Sequence, residues 1–541
     1  MKKNALCSVV FAAAACGLAL LSTSSRSSAQ PAPASQPAPE VAEILTPKAA
    51  PAPRINGAKV FGVRPNHPFL FTIAATGDRP MTFSATGLPA GLALDANTGR
   101  ITGALAQEGE FKVTLSAKNS LGTAKSKFKI ICGPTIGLTP AMGWNSWNCF
   151  ADAVTAQHVI DAADAMVKSG LINHGWTYIN IDDFWEVNPR RTNDPSLQGP
   201  ERDAGGKIVP NPRFPDMKGL AEYVHGLGLK IGLYSSPGPL TCGGCVASYQ
   251  HEDQDAQSYG EWGFDYLKYD WCSYNSVAAA SLPPPTNAAP GAPRRRPQID
   301  LATRQKPYAV MRAALDKVPR DILFSFCQYG DANVWEWGAQ IGGNSWRTTG
   351  DITDTWASLS RIGFSQAGHE KYAGPGHFND PDMMIVGRVG WGPRLHPTRL
   401  TPNEQYTHVS LWCLLSAPLL IGCDMTAMDD FTLSLLSNDE VLAVDQDSLG
   451  RQAARLSQTN NLEVWAKDLE DGSMAVGLFN RNTNAQEVIA KWSDLGLKGR
   501  ATVRDLWRQK DIGKFKDEFH ATVPRHGVVL VKITGATASK P

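Results

Sequence analysis

The feature that most restricts the possible folds is a long alternation of short apolar β-type stretches with helical stretches, which begins near Leu138. Parallel strands joined by helices form either a closed (β/α)8 barrel or an open, doubly wound sheet. An open nucleotide-binding sheet would have a glycine-rich phosphate loop after its first strand, and GWNSWNCF lacks that pattern. The alternation therefore predicts a (β/α)8 TIM barrel over residues 135–448. Its eight candidate strands are AMGWNSW, YINIDDFW, KIGLYSSPG, YLKYDWC, ILFSFCQYG, SWRTTGD, HFNDPDMMIVG and APLLIGCD.

Two β-rich regions flank the predicted barrel. A chain of 541 residues is too long for one compact core, so several domains are expected. Residues 54–134 alternate apolar and polar residues between Gly, Asn and Asp turns, which predicts an Ig-like β-sandwich. Residues 449–541 return to strand patterns and predict a C-terminal antiparallel β-sandwich. The insertion SVAAASLPPPTNAAPGAPRRRP, after the fourth barrel strand, predicts a flexible surface loop.

The N-terminus has the pattern of an export signal. Two lysines precede an apolar run over residues 5–21, and SSA at residues 27–29 resembles a small-residue cleavage site. The run is short for a membrane anchor, and it continues past Cys16, which disfavours a lipoprotein cysteine. We therefore expect a signal peptide over residues 1–29 and a Pro/Ala-rich linker over residues 30–53 that packs against nothing. The protein is expected to be secreted or periplasmic, with no later transmembrane segment.

The overall charge balance gives no sign of a polyanionic partner. The chain has 52 Lys and Arg residues against 51 Asp and Glu residues, a net charge of +1. Nucleic-acid-binding proteins usually carry a clear positive excess, so no nucleic-acid partner is predicted. The sequence leaves the oligomeric state open.

Polar side chains occupy the predicted strand ends, where a barrel of this kind builds its active site. Burying several carboxylates there is costly unless a ligand or counter-charge compensates. Clustered aspartates can hold Mg²⁺ or Ca²⁺, or they can hydrolyse a glycosidic bond and grip sugar hydroxyls. Two cations among them, and the absence of an HExxH-type spacing, favour a sugar, so no metal or other cofactor is predicted. The strand-end residues are Trp147, Asp182, Asp183, Tyr234, Lys268, Asp270, Gln328, Arg347, Asp351, Asp380 and Asp382.

Several motifs resemble glycoside hydrolase family 27, the family of α-galactosidases (melibiases) and α-N-acetylgalactosaminidases. They occur in order over the whole predicted barrel: TPAMGWNSWNCF, YINIDDFW, GLKIGLYSSPGPLTCGG, DAQSYGEWGFDYLKYDWC, SWRTTGDI, FNDPDMM and APLLIGCDM. The resemblance implies a retaining mechanism with Asp270 as the nucleophile and Asp351 as the acid/base, whose carboxyl groups would lie about 5–5.5 Å apart. Lys268, two residues before Asp270 on the same strand face, would favour the ionised nucleophile.

In the N-terminal region, GLPAGLALDANTGRITGAL resembles Ig-like modules of bacterial surface and secreted enzymes.

The resemblance also assigns sugar-binding roles to the remaining strand-end residues. The Asp182–Asp183 pair would grip the C4 and C6 hydroxyls of a galactose-type ring, and such buried acceptors would reject the epimer. Arg347 would reach the C2 or C3 hydroxyl. The other implied roles are a sugar-packing face for Trp147, pocket lining for Tyr234 and Lys268, a pocket acid for Asp382 and loop support for Asp380. Plain packing remains the alternative for Trp147 and Tyr234.

The cysteines are expected to have different states. The resemblance implies a disulfide between Cys242 and Cys272, although Cys245 lies in a C-x-x-C with Cys242 and leaves the pairing open. A second family disulfide cannot form because Phe184 occupies one of its positions, which leaves Cys149 without that partner. The other barrel cysteines, Cys327, Cys413 and Cys423, are expected to be buried thiols.

One departure from the family pattern concerns the sugar preference. Many α-galactosidases have CEW after the fifth strand, whereas this chain has Cys327-Gln328-Tyr329. The expected function is hydrolysis of terminal α-D-galactosyl residues through a covalent glycosyl-aspartate. The alternatives are the same mechanism on α-N-acetylgalactosaminides or β-L-arabinopyranosides, and a non-catalytic carbohydrate-binding or adhesion protein.

Overall fold

A computed structural model describes residues 40–281, 299–535 and 537–538. The predicted signal peptide lies outside the described residues. So do residues 30–39 of the predicted linker and residues 282–297 of the predicted surface loop, whose first six residues, 276–281, belong to the helix Tyr274–Ser281 and not to a loop.

Within the described residues, eight parallel strands form the central sheet, in the order of the chain from the first strand to the seventh, with the eighth beside the first. The sheet closes because Met384, just after the seventh strand, forms a parallel bridge with Ile421 of the eighth. The predicted (β/α)8 barrel is confirmed. The strands are Met142–Asn145, Tyr178–Asn180, Lys230–Ser235, Tyr266–Asp270, Leu323–Cys327, Ser345–Arg347, Phe378–Asp380 and Leu419–Ile421.

Helices cover the outside of the barrel, and their ends follow capping rules. Asp300 and Thr155 cap helices by accepting backbone N–H groups, and Thr401 with Glu404 forms a capping box. The strand Leu323–Cys327 is buried along its whole length because it faces the barrel interior on one side and helices on the other. The α-helices are Trp147–Phe150, Ala156–Lys168, Met217–Gly226, Glu252–Trp262, Tyr274–Ser281, Leu301–Leu315, Val334–Trp337, Trp356–Phe364, Pro402–Leu414, Asp430–Leu436 and Asp439–Asp445. Shorter 3-10 helices are Ala151–Ala153, Leu171–His174, Pro195–Leu197, Asp331–Asn333, Glu370–Tyr372 and Met425–Ala427, and a hairpin joins Arg388–Val389 to His396–Pro397.

The N-terminal β-module is a sandwich of a four-stranded and a three-stranded sheet around its own apolar core. It packs on the side of the barrel where the strands begin. Arg64 bonds Asp321, which precedes the fifth barrel strand, and Thr72 bonds the carbonyl of Gly228, which precedes the third. The module's strands are Arg54–Ile55, Val60–Val63, Phe69–Thr72, Ala75–Thr76, Thr82–Thr86, Leu92–Leu94, Arg100–Gly103, Gly109–Asn119 and Gly122–Cys132.

The C-terminal module is antiparallel, as predicted. Its six-stranded sheet packs against the helix Pro402–Leu414, and Trp507 donates a hydrogen bond to Ser410 of that helix. The strands are Ala454–Thr459, Leu462–Asp468, Met474–Asn480, Gln486–Lys491, Leu497–Lys498, Arg500–Asp505, Lys510–Lys516, Glu518–Val523, Val528–Thr534 and Thr537–Ala538.

The later part of the predicted linker differs from the expectation of a tether that packs against nothing. The backbone N–H of Leu45 donates to the Tyr406 hydroxyl at 3.0 Å, and the Thr46 hydroxyl donates to the carbonyl of Ser434 at 2.8 Å. The Leu45 side chain also packs against the barrel core. A Pro/Ala-rich composition predicts an extended backbone, but an extended segment can still be fixed by a few side chains that reach a neighbouring surface.

None of the helices in the described part of the chain has the length and apolarity needed to cross a bilayer.

Candidate active site

Asp270 ends the fourth barrel strand and is hydrogen-bonded through both carboxylate oxygens. Tyr329 donates its hydroxyl to Oδ1 at 2.5 Å, and Tyr234 donates to Oδ2 at 3.1 Å. Burial raises the pKa of Asp270, while the charge of Lys268 and the Tyr329 hydrogen bond act in the opposite direction. The carboxylate is only 5% exposed, so its orientation is fixed by these donors.

Lys268 lies on the same strand face as Asp270, but its direct ion-pair partner is Asp182. The Lys268 ammonium is 2.8 Å from Asp182 Oδ2, and the amide of Asn145 donates to the same oxygen at 2.9 Å. Burial opposes the charge of Lys268, yet its pKa is raised well above the usual value by Asp182 and, more weakly, by Asp270. Lys268 therefore pairs directly with the acid after the second strand and acts on Asp270 through its charge alone.

Asp183, the other member of the acidic pair, is held by a loop after the third strand. The backbone N–H of Gly243 donates to its Oδ2 at 2.7 Å, and the N–H of Phe184 donates to Oδ1 at 2.9 Å. Burial raises the pKa of Asp183 to about 6, and the Gly243 and Thr241 hydrogen bonds oppose that shift.

Arg347 joins the acids on the opposite side of the cavity. Its Nη2 lies 3.0 Å from Asp351 Oδ1, and its Nη1 lies 3.0 Å from Asp382 Oδ1. The Asp351 side chain is 67% exposed, whereas Asp382 is buried, with its other oxygen accepting the N–H of Ile352 at 2.8 Å. Arg347 thus supports Asp351 at the open end of the cavity, in addition to any contact it makes with a ligand.

Asp380 lies beneath this group and supports the backbone of the next loop. Its Oδ1 accepts the N–H of Asp382 at 2.8 Å. Asp382 has a left-handed backbone with φ of 84°, which is uncommon outside glycine and needs such support. Burial raises the pKa of Asp380 to about 6, with Arg347 opposing the shift.

One cavity at the carboxyl ends of the strands contains most of the predicted site residues. Trp147, Asp182, Asp183, Tyr234, Lys268, Asp270, Arg347, Asp351 and Asp382 line it together. The lining also includes Cys242 of the predicted disulfide, and four residues that the sequence reasoning missed: Asn148, Tyr329, Met383 and Trp391. Trp391 comes from the loop of the hairpin Arg388–Val389/His396–Pro397, which is anchored where the N–H groups of Gly390 and Trp391 donate to the carbonyl of Asn148.

The sequence predicted that Gln328 binds the sugar. In the part of the chain that the structure describes, Gln328 does not line this cavity. The fifth strand explains the difference. Cys327, the last residue of the strand, faces the interior, with its sulfur 3.7 Å from Arg347, so Gln328 points outward. Tyr329 lies beyond the strand and has a left-handed backbone with φ of 57°, so its position depends on the loop and not on strand alternation. Gln328 is buried beside Tyr308 of a surrounding helix, and Tyr329 occupies the cavity instead.

The structure contains the Cys242–Cys272 disulfide. The bond joins the loop after the third strand to the residue that follows the catalytic candidate Asp270 by two positions. Cys245 is a buried free thiol, as are Cys149, Cys327, Cys413 and Cys423.

Two clusters of potential metal ligands occur among the described residues. Cys242, Asp270 and Cys272 form one, but its sulfurs are already joined in the disulfide. Asp183, Glu186 and Cys245 form the other, with ligand atoms within 4.8 Å of one another. Burial raises the pKa of Glu186 well above its usual value, with the nearby Asp183 adding to the shift. The raised pKa of Glu186 favours its neutral form, which lowers the negative charge of this cluster.

Comparisons with known proteins agree with this geometry. The family model for alpha galactosidase A matches residues 139–282 and 298–447, the model for the alpha galactosidase C-terminal beta sandwich domain matches residues 459–533, and an Ig-domain model matches residues 52–132. The α-galactosidase of Cyamopsis tetragonoloba is 42% identical over 405 residues, which cover 74% of this chain and 87% of that protein. Alpha-galactosidase A of Cellvibrio japonicus is 38% identical over 420 residues, covering 73% of this chain and 92% of that protein.

Solved structures give the same result. Alpha-galactosidase I of Mortierella vinacea superposes with a TM-score of 0.64 at 32% identity, covering 75% of this chain and 99% of that one. A structure from Bacteroides fragilis superposes with a TM-score of 0.79 at 34% identity, covering 92% of this chain and 100% of its own. The chain thus shares sequence and fold with these relatives over most of its length. The chain belongs to glycoside hydrolase family 27, the α-galactosidase or melibiase family.

Proposed function

We propose that the protein is a retaining exo-glycosidase that removes terminal α-D-galactosyl residues from oligo- or polysaccharides. The observation that carries the proposal is the pair of carboxylates on one cavity, with Asp270 buried and doubly hydrogen-bonded and Asp351 exposed at the opening. A retaining glycosidase needs an oriented, ionised nucleophile and a second carboxyl group that reaches the leaving oxygen. The α-galactosidases among the relatives support galactose as the sugar.

The proposed reaction has two displacements. Asp270 attacks the anomeric carbon while Asp351 protonates the leaving-group oxygen, which releases the aglycone and leaves a glycosyl-aspartate. Water then attacks the same carbon, Asp351 removes its proton, and Asp270 leaves. The result is a sugar with its original anomeric configuration. The bonds from Tyr234 and Tyr329 orient the nucleophile for both steps.

The remaining residues would bind the sugar. Asp182 and Asp183 are buried acceptors that can take hydrogen bonds from the C4 and C6 hydroxyls, and the epimer would leave one acceptor without its donor. Tyr329 lies against the nucleophile, where the C2 substituent of the bound sugar would have to fit. A bulky tyrosine there leaves less room for a 2-acetamido group than a small side chain would. This position therefore favours galactosides over N-acetylgalactosaminides.

A panel of aryl glycosides tests the proposal. We expect wild-type turnover of the α-galactoside to exceed that of the α-N-acetylgalactosaminide and the β-L-arabinopyranoside. Asp270→Asn should lose at least about a thousandfold in kcat, since a carboxamide cannot form the intermediate. Asp331→Asn, which changes an exposed carboxylate outside the cavity lining, is the matched control and should keep wild-type rates. Full activity in Asp270→Asn would end the nucleophile assignment, and inactivity of the wild type on all three substrates would favour a non-catalytic binding protein.

The product's configuration tests the mechanism separately. Proton NMR during the first minutes should show α-galactose before mutarotation if configuration is retained. Asp351→Ala should still release a good leaving group such as dinitrophenolate and accumulate the glycosyl-enzyme, which mass spectrometry of the intact protein can detect.

Export is part of the proposal, because the N-terminal run over residues 5–21 has the composition of a signal peptide.

A further inference from the structure

The N-terminal module carries a concentrated positive charge that the net charge of the whole chain conceals. Residues 54–132 contain ten Lys and Arg residues against four Asp and Glu residues, a net charge of +6. The whole chain has a net charge of +1, so the rest of it is acidic on balance. Charge confined to one module acts locally, because the Debye length at physiological ionic strength is about 8 Å.

Five of these lysines share the outer face of the four-stranded sheet, and we call this surface the lysine face. Strand register places Lys112 opposite Lys129, while Lys125 and Lys127 lie opposite Ser116 and Thr114. Alternate residues of the same strands point inward to the module's core, which is why the lysines all point outward. The lysine face consists of Lys112, Lys118, Lys125, Lys127 and Lys129 with the hydroxyl side chains of Thr82, Ser84, Thr86, Thr114, Ser116 and Thr123.

Almost nothing within the protein compensates this charge. Lys129 pairs with Glu110 at 3.2 Å. Within the described residues, the other four lysines have no ion pair or hydrogen bond through their side chains. Like charges placed opposite each other destabilise a sheet, so the arrangement carries a cost.

Protection of a sheet edge explains only some of the lysines. Lysine on an edge strand prevents pairing with another chain. The lysine-bearing strands Gly109–Asn119 and Gly122–Cys132 are the two inner strands of this sheet, flanked by Val60–Val63 and Thr82–Thr86. The flanking strands are short, however: Val60–Val63 pairs only with residues 129–132 and Thr82–Thr86 only with residues 114–118. Lys118 and Lys129 therefore lie between two paired neighbours, where no edge needs protection, whereas the outer edge beside the other three lysines is unpaired.

We propose that the lysine face binds an extended acidic polysaccharide. Neighbouring strands are about 4.8 Å apart and alternate residues about 6.8 Å apart, so the ammonium groups form a compact array that can contact successive carboxylates of one chain. Serine and threonine hydroxyls between the lysines can bond sugar hydroxyls. The apolar side chains on this side of the sheet, Val60 and Ile131, lie at one end of the lysine face, and Val60 is buried, which favours a polysaccharide over insertion into a membrane. The module packs where the barrel strands begin, so a bound polymer leaves the cavity at the other ends of the strands open.

The test is a direct binding measurement with the full chain, independent of hydrolysis. Polygalacturonate is the probe, and its methyl-esterified form is the neutral control with the same backbone. We expect binding to polygalacturonate alone, and binding should weaken steeply between about 0.05 and 0.3 M NaCl because the contacts are ionic. Equal binding of the esterified polymer would overturn the proposal, as would a clear preference for duplex DNA or for anionic phosphatidylglycerol vesicles.

Two double variants with the same change in net charge locate the site. Lys125→Glu with Lys127→Glu should reduce polygalacturonate affinity at least about tenfold. Lys514→Glu with Lys516→Glu, on an exposed strand of the C-terminal module, should change it less than about twofold. Turnover of an aryl α-galactoside should be unchanged in both, which also checks folding. Lys125→Arg with Lys127→Arg keeps the charge and should keep the affinity. Equal losses in both Glu pairs would show a general charge effect and refute the lysine face.

Discussion

Removal of the Tyr329 hydroxyl should shift the pH dependence of the reaction to higher pH. This hydroxyl donates to Asp270 Oδ1 at 2.5 Å, a shorter contact than the 3.1 Å bond from Tyr234 to Oδ2. Burial raises the pKa of Asp270, and the Tyr329 hydrogen bond is one of the interactions that limit the rise. In Tyr329→Phe that interaction is lost while the ring remains, so the pKa of Asp270 should rise further.

The size of the shift follows from the strength of the bond. A hydrogen bond to a charged group contributes about 1.5–3 kcal/mol, and one pKa unit corresponds to about 1.4 kcal/mol. The acidic limb of the kcat/KM profile should therefore move up by about 1–2 pH units in Tyr329→Phe. Tyr234→Phe should move it less, because its hydrogen bond is longer. At pH values above the shifted acidic limb, Asp270 is ionised in Tyr329→Phe and in Tyr234→Phe. The kcat/KM of both variants should therefore approach the wild-type value there.

The measurement is kcat/KM against pH with an aryl α-galactoside, since this parameter reports ionisation in the free enzyme. Tyr269→Phe is a matched control. It changes a buried tyrosine one residue before Asp270 whose hydroxyl has no hydrogen-bond partner among the described residues, so its profile should match the wild type. An unmoved acidic limb in Tyr329→Phe would refute the reasoning that this bond stabilises the ionised nucleophile.

Three further changes test other parts of the site. Glu186→Gln should gain stability relative to the wild type as pH rises, because burial raises the pKa of Glu186 and the folded protein must hold a proton that the unfolded chain releases. The difference in unfolding free energy should grow by about 1.4 kcal/mol per pH unit above pH 5, and a constant difference in denaturant titrations would contradict it. Cys272→Ser should lower kcat/KM about tenfold, because it frees the loop whose Gly243 N–H holds Asp183. Wild-type kinetics in that variant would show that the loop needs no disulfide. Trp391→Ala should lower kcat/KM on raffinose about fivefold more than on α-galactosyl fluoride, since Trp391 lines the cavity and the fluoride has no sugar leaving group to contact. Equal losses of kcat/KM on both substrates would show that Trp391 contacts the galactosyl unit and not the leaving group.

The parts of the site that follow from strand alternation could be predicted from the sequence. Lys268 and Asp270 are two residues apart at a strand end, and they do face the same cavity. The barrel itself was predictable because each apolar strand is followed by a helical pattern and because the motifs occur in order. The Cys242–Cys272 bond required the family resemblance, since spacing alone did not exclude Cys245.

Contacts that depend on loop conformation could not be predicted in the same way. Tyr329 has φ of 57° and Trp391 has φ of 50°, left-handed conformations that sequence patterns do not predict for aromatic residues. The partners of Arg347 also depend on loops, because Asp382 belongs to the turn after the seventh strand and Asp351 to the segment after the sixth. Sequence position placed all three at the opening, but it could not show that both acids bond the same guanidinium.

The balance of donors and acceptors in the cavity explains why a sugar suits it better than a cation. Lys268 and Arg347 are the two cations in the described lining, and each already bonds an aspartate. Burial raises the pKa of Asp183 to about 6 and also raises the pKa values of Asp270 and Asp382, so the protein compensates the remaining negative charge poorly by itself. Each oxygen of Asp270 accepts one hydrogen bond from a tyrosine and can accept another. A galactose ring brings neutral O–H donors, which satisfy these acceptors without adding a charge that Lys268 and Arg347 would repel.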